Sequence, residues 1–423
     1  MRALYSLMWW LALPLVLARL WWRGRREAGY RAHWGERLGF YGPRGAGMHT
    51  IWVHAVSVGE TRAAEPLIDA LMLAWPDSRI LLTHMTPTGR AAGEQLFSRH
   101  GARLVQAYLP YDTGFMTHRF LVHFAPRICI LMETEVWPNL VAACAARAVP
   151  VALVNARLSQ RSLRRGQRFG TLMTDAARAI TLVVAQTEAD AQRVRQLGAP
   201  RVAVTGSIKF DVLVPPAALA TGAWLRAQIG PRPVLLCAST REGEEALILD
   251  AFGAMPARPP DMLLLLVPRH PQRFDEVAAM VRSRGFALQR RATLGEAGVA
   301  NDTEVLLGDS MGEMFAYYAA CDSAFVGGSL LPLGGQNLIE ACALGKPVLV
   351  GPHTFNFALA TAGAIDAGAA LCVADATQLM AQSAVLLGDA AACVAMGRHA
   401  LAFAGAHKGA TARTLELLRP LIY

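Results

Sequence analysis

Glu60, Glu133, Glu135 and Lys209 are the residues of this chain whose types and settings best suit proton transfer and charge stabilisation. Glu60 closes the segment Val56-Ser57-Val58-Gly59-Glu60, which follows a short β-branched run and opens a helix expected to reach Trp75. A carboxylate at a helix N-terminus is stabilised by the helix dipole and is expected to stay ionised near neutral pH. Outside a strand end it can accept a hydroxyl proton; the same position equally suits an acid that only complements the dipole. Glu133 and Glu135 lie in Glu133-Thr134-Glu135-Val136-Trp137-Pro138-Asn139, after another apolar run. Two acids and a tryptophan at a strand end do not read as simple core, and only one of the two carboxylates is expected to face the site. Lys209, in Gly206-Ser207-Ile208-Lys209-Phe210-Asp211, is one of three lysines in a chain that otherwise uses arginine. A compact point charge is the natural role for it. Asn155-Ala156-Arg157-Leu158-Ser159 and the following Arg161, Arg164, Arg165 and Arg168 suit either a phosphate-binding face or a solvated basic helix.

A second set of segments suits a nucleotide. Pro268-Arg269-His270-Pro271 puts a cation after a strand, and Met311-Gly312-Glu313 joins a strand to a helix. Gly334-Gly335-Gln336-Asn337-Leu338-Ile339-Glu340 frames a helix start, where free amides accept a phosphate and Glu340 can hold a ribose hydroxyl. Gly-x-Gly-x-x-Gly and Gly-x-x-x-x-Gly-Lys-Ser/Thr do not occur, which argues against NAD and ATP sites.

The elements that must position these residues alternate. Strand-like runs at 50–53, 79–83, 103–107, 127–132, 150–154, 181–185 and 201–204 are separated by segments of helical length. The proline-rich stretch 212–233 reads as an interdomain linker, after which strands are expected at 234–238, 262–267, 304–307, 323–326 and 347–350. Such alternation means α/β architecture with parallel sheets covered on both faces. Two Rossmann-like domains facing across a cleft, the GT-B arrangement, follow as the expected fold, with ligands outside the carboxyl ends of the strands.

With 423 residues the chain has material for two domains, and 53% hydrophobic residues exclude a disordered chain. Residues 3–22 are apolar except for Arg19 and are followed by Arg23, Arg25 and Arg26. That is long enough to cross a bilayer if Arg19 snorkels, with Trp9, Trp10, Trp21 and Trp22 as interfacial anchors. A cleaved leader is disfavoured, because the basic run follows the apolar stretch and no Ala-x-Ala ends it. The positive-inside rule puts the body behind the anchor in the cytoplasm, and Arg31, Arg37 and Arg44 suit anionic headgroups better than nucleic acid. Seven scattered cysteines agree with buried thiols in a reduced compartment, and no zinc spacing occurs.

In order, Val56–Glu60, Glu133–Asn139, Asn155–Ser159, Gly206–Asp211, Pro268–Pro271, Met311–Glu313 and Gly335–Glu340 resemble the 3-deoxy-D-manno-octulosonic acid (Kdo) transferase family over essentially the whole chain. One departure is Gln336, where the family has histidine. The resemblance implies an inverting glycosyltransferase at the inner membrane, in lipopolysaccharide biosynthesis, moving Kdo from CMP-Kdo to the 6′-hydroxyl of the lipid A precursor. It implies an anchor at 1–26, an acceptor-binding domain at 27–214 and a CMP-Kdo-binding domain at 215–423. Glu60 would be the base, supported by Glu133, Glu135 and Lys209. Pro268, Arg269, Met311, Gly312, Glu313, Asn337, Leu338, Ile339 and Glu340 would hold the donor, with no metal or other cofactor.

Overall fold

The computed structural model describes residues 1–25, 27–43, 48–256, 258–295 and 298–422. Arg26 and Arg44 lie outside the described residues. Runs such as Ile51-Trp52-Val53 and Leu264-Leu265-Leu266 are wholly buried, as strands covered by helices on both faces must be. They assemble two sheets, each of seven parallel strands.

The first sheet contains β1 (His49–His54), β2 (Ser78–His84), β3 (Leu104–Tyr108), β4 (Pro126–Met132), β5 (Val151–Ala156), β6 (Leu182–Ala185) and β7 (Val202–Val204). Its order is β3-β2-β1-β4-β5-β6-β7, so the winding reverses between β1 and β4. The second contains β8 (Val234–Thr240), β9 (Leu263–Pro268), β10 (Leu288–Arg290), β11 (Val305–Leu307), β12 (Ser323–Val326), β13 (Val348–Val350) and β14 (Ala370–Cys372). The order here is β10-β11-β9-β8-β12-β13-β14, and the reversal falls between β8 and β12. All the expected strands form. The short edge strands β10 and β14 have no counterpart among them, since three residues carry too little pattern to be read.

Two compact units result: Met1–Asp211 with Lys408–Tyr423, and Val212–His407. Two expectations need correction. The stretch 212–233 is no bare linker but contains the helix Pro216–Ile229, because Pro216 at the first helical turn starts a helix instead of breaking one. The C-terminal segment from Lys408 belongs to the first unit, not to a domain running from 215 to 423. Asp211 accepts the backbone N–H groups of Gly409 and Thr411, and Arg413 donates to the Thr205 carbonyl at 2.6 Å. Ala410, Leu418 and Ile422 then complete the core beside β1 and the helix Glu65–Ala74.

Of the basic residues assigned to lipid headgroups, Arg37 is buried, donating to the Met85 carbonyl and lying 3.8 Å from the Tyr108 ring centre. Arg31 is exposed and sits over Trp21. Five of the cysteines are buried free thiols; Cys372 is exposed and Cys393 partly so.

Candidate active site

Ser57 caps the helix Val58–Ala63, and Glu60 lies in its first turn. The carboxylate is held from behind: Oε2 accepts the Val56 N–H at 2.8 Å, and Oε1 accepts the Ser57 hydroxyl at 3.3 Å. The expected lowering by the helix does not prevail. Burial, opposed by the Val56 N–H but reinforced by the charges of Glu135 and Glu133, pushes the Glu60 pKa up to about 7. His54 and His84 are held neutral by burial, at about 3 and 4, and hydrogen-bond to Thr83 and to the Ala55 carbonyl. They support the loop and do not exchange protons at working pH.

β4 stops at Met132, and Glu133 turns the chain with φ +58, a left-handed conformation. Its N–H still reaches the Val154 carbonyl of β5 at 2.9 Å, and its carboxylate pairs with Lys209 at 2.6 Å. Glu135 is raised in pKa by burial and by Glu133, against the pull of the Trp137 indole. The charges of both carboxylates bear on Glu60. Residues two apart share a face of an extended chain, and here the chain also leaves the strand at Glu133.

Asn155 is the residue whose role the sequence did not disclose. Fully buried at the end of β5, with φ +56, it accepts the Ile208 N–H on its side-chain oxygen at 3.2 Å. This fixes the turn Ile208–Phe210 and with it Lys209. Asparagine tolerates the left-handed region better than most residues, a signal that only becomes readable once the strand end is known. Arg161, Arg164, Arg165 and Arg168 are all exposed, as on a solvated basic helix. Arg90 is engaged with Glu36 at 2.7 Å.

In the second unit the assigned residues also fall at strand ends. Pro268 ends β9, and the Arg269 N–H bonds to the Thr240 carbonyl. Arg241, Arg269 and Arg273 add to burial in lowering the pKa of His270, the mark of a strongly cationic corner. Met311 is exposed, and Gly312 turns with φ +82 into open space. Glu313 pairs with Arg291 at 2.9 Å and accepts the Ser310 hydroxyl at 2.5 Å. Asn337 lies just before the helix Ile339–Ala343 and accepts the Ile339 N–H at 3.1 Å, and its amide donates to Glu340 at 3.0 Å. Leu338 and Ile339 are buried.

Glu244 was not singled out by sequence, yet it organises this end of the sheet. Wholly buried, it accepts N–H groups from Arg241, Gly328 and Leu330 at 2.6–3.0 Å, tying the loop after β8 to the loop after β12. Gly327 leaves no room for a side chain there: a Cβ would sit 2.7 Å from the Ser239 carbonyl oxygen. Glu245 is locked to Thr240 and Arg273, and Asp309 to Arg290. Among the described residues no group of three or more His, Cys, Asp or Glu side chains has the arrangement of a metal site.

Twin parallel sheets with charged strand ends on either side of each reversal define a GT-B-type α/β fold. A glycosyltransferase from Rickettsia africae shares it, with a TM-score of 0.60 at 13% identity, over 89% of this chain and 99% of that one. Residues 32–212 match the family described as 3-deoxy-D-manno-octulosonic-acid transferase (kdotransferase). The chain is 50% identical to the 3-deoxy-D-manno-octulosonic acid transferase of Bordetella pertussis, over 99% of this chain and 98% of that protein. It is 36% identical to the enzyme of that name from Haemophilus influenzae, over 100% and 99% respectively. The chain therefore belongs to the Kdo transferase family of glycosyltransferases.

Proposed function

We propose that this enzyme transfers Kdo from CMP-Kdo to the 6′-hydroxyl of the lipid A precursor, with inversion, as a step of lipopolysaccharide biosynthesis on the cytoplasmic face of the bacterial inner membrane. The observation that carries the reading is the state of Glu60: a carboxylate with a pKa near 7, hydrogen-bonded to the Val56 N–H and under the charges of Glu135 and Glu133, the latter paired with Lys209. A base of that pKa balances availability against proton affinity at neutral pH. Glu60 takes the proton of the acceptor hydroxyl, the oxygen attacks the anomeric carbon, and the bond to phosphate breaks with its electron pair leaving on CMP. Inversion requires attack from the face opposite the leaving group, so the base and the donor's phosphate belong to different binding surfaces.

The first unit supplies the base and would bind the acceptor. The second would bind CMP-Kdo through Pro268, Arg269, Met311, Gly312, Glu313, Asn337, Glu340 and the main chain of Leu338 and Ile339. Its cationic corner around Arg241, Arg269 and Arg273 suits a donor with a phosphate and a carboxylate. The leaving phosphate is neutralised by such cations and by helix amides, with no divalent metal. The N-terminal helix, 22 residues long and apolar enough to cross a membrane, would bring the enzyme to its lipid acceptor.

The test is incubation of the full chain with CMP-Kdo and tetraacylated lipid A precursor, followed by mass spectrometry of the lipid. A gain of one or more Kdo masses, absent with UDP-sugars, is expected. An unchanged lipid, or product from a UDP-sugar, overturns the proposal.

A further inference from the structure

The helix Arg2–Arg23 does not project from the first unit but lies along it. Near its start Ser6 and Asn139 share hydrogen bonds of 2.9 and 3.3 Å, and the charge of Asp112 adds to burial in raising the Tyr5 pKa. In the middle, Trp9 packs on Tyr111 with ring centres 5.6 Å apart, and Leu13 is buried with Tyr111 and Met116. Towards its end Leu20 is buried in the same cluster, and Arg23 stacks over Tyr30 at 4.1 Å. Tyr5 to Leu20 is roughly 22 Å of helix axis, most of the thickness of a hydrocarbon core.

A helix held along its length by the body cannot cross a bilayer unless the body enters it too. Asp112 would then be drawn into hydrocarbon, although its carboxylate caps the helix Pro138–Ala145 through the N–H groups of Asn139 and Leu140. Polar loops do not survive in that medium facing lipid. The opposite side of the helix is different. Leu4, Leu7, Met8, Leu11, Leu15, Ala18 and Trp22 are exposed and recur at helical spacing, an apolar stripe. Exposed Trp10 and Trp21 lie outside that stripe, and Arg19, Arg23 and Arg25 gather at its C-terminal end.

We infer that this helix is an in-plane anchor: it rests in the boundary between headgroups and acyl chains of an anionic bilayer, apolar stripe downward, with both of its ends on the side of the membrane that holds the catalytic body. Arginine and tryptophan at the margins of an apolar stripe are the chemistry of that boundary, where guanidinium groups meet phosphate and indole rings prefer to sit. A second copy of the chain fits the stripe poorly. Its two ends are both cationic, with Arg2 at one and Arg19, Arg23 and Arg25 at the other, so pairing in either direction brings like charges together. On this reading Trp9, packed against Tyr111, belongs to the side of the helix that meets the body.

The inference rests on the membrane association proposed above, and one experiment separates the two. The full chain with an N-terminal epitope tag is added to preformed vesicles of phosphatidylcholine and phosphatidylglycerol, floated, and treated with protease. Flotation with the tag digested before any detergent is added is the expected result. Flotation with the tag protected until detergent opens the vesicles means that the helix spans, and overturns the inference while leaving membrane binding intact. Failure of the wild-type chain to float removes the membrane association itself, and a soluble dimer under the same conditions assigns the stripe to a second copy. The double variant Leu7→Gln/Leu11→Gln, which alters only exposed positions, is expected to lower vesicle affinity at least about tenfold with unchanged thermal unfolding. Unchanged affinity also overturns the inference.

Discussion

The two units put acidic residues at the ends of their strands and use them in opposite ways. In the first, Glu133 pairs with Lys209, and burial, reinforced by the charges of Glu135 and Glu133, pushes the Glu60 pKa up to about 7. In the second, Glu244, Glu245 and Asp309 are buried struts, each bound by backbone N–H groups, a hydroxyl or an arginine. Acids given several donors hold loops and arginines in place; a buried acid given few donors gains proton affinity. The same fold thus gives its strand-end carboxylates either a raised proton affinity or a bracing role, according to how many donors each is given.

Three changes probe that contrast. Glu60→Gln keeps the shape but removes the base, and is expected to lower kcat roughly 100- to 10,000-fold while leaving the affinity for CMP-Kdo, measured by calorimetry, unchanged. A parallel loss of donor affinity would show that the units are not divided in this way. The sign of the stability effect is also set. The folded carboxyl has its pKa raised from 4.5 to about 7, so its contribution to stability declines as pH rises between those values. Above pH 7 Glu60→Gln should therefore be more stable than the wild type, by roughly 1–3 kcal/mol in chemical denaturation.

Glu244→Ala strands three buried N–H groups and is expected to cost about 3 kcal/mol, seen as a fall in melting temperature of roughly 6–12 °C together with lost donor binding. A variant that binds CMP-Kdo normally would contradict its role as a strut. The smallest effect is expected from Lys209→Met. In the wild type kcat/KM should fall as pH drops below about 7, because Glu60 must be ionised to act. Without the lysine, Glu133 repels that ionised form unopposed, and the acidic limb should move up by about half a unit to one unit. A limb that stays in place would mean that Lys209 does not bear on the base.

Much of this was legible in the amino-acid order. Twelve-strand alternation, the two-part chain, the acids after β1 and β4, the lysine after β7 and the glycine turns of the second half are local signals. Each depends on side-chain period or on residue type within a few positions. The family resemblance rests on seven such segments in sequence. What the tertiary structure alone decided is non-local. It buried Glu60 under the charges of Glu135 and Glu133 and so reversed the expected direction of its pKa, because burial and neighbouring charge outweigh a helix dipole. It returned Lys408–Tyr423 to the first unit through Asp211, and made Asn155 a brace and Glu244 a strut. It also laid an apolar helix along the body. Composition counts apolar residues in a helix, but only packing shows which of its sides is already covered.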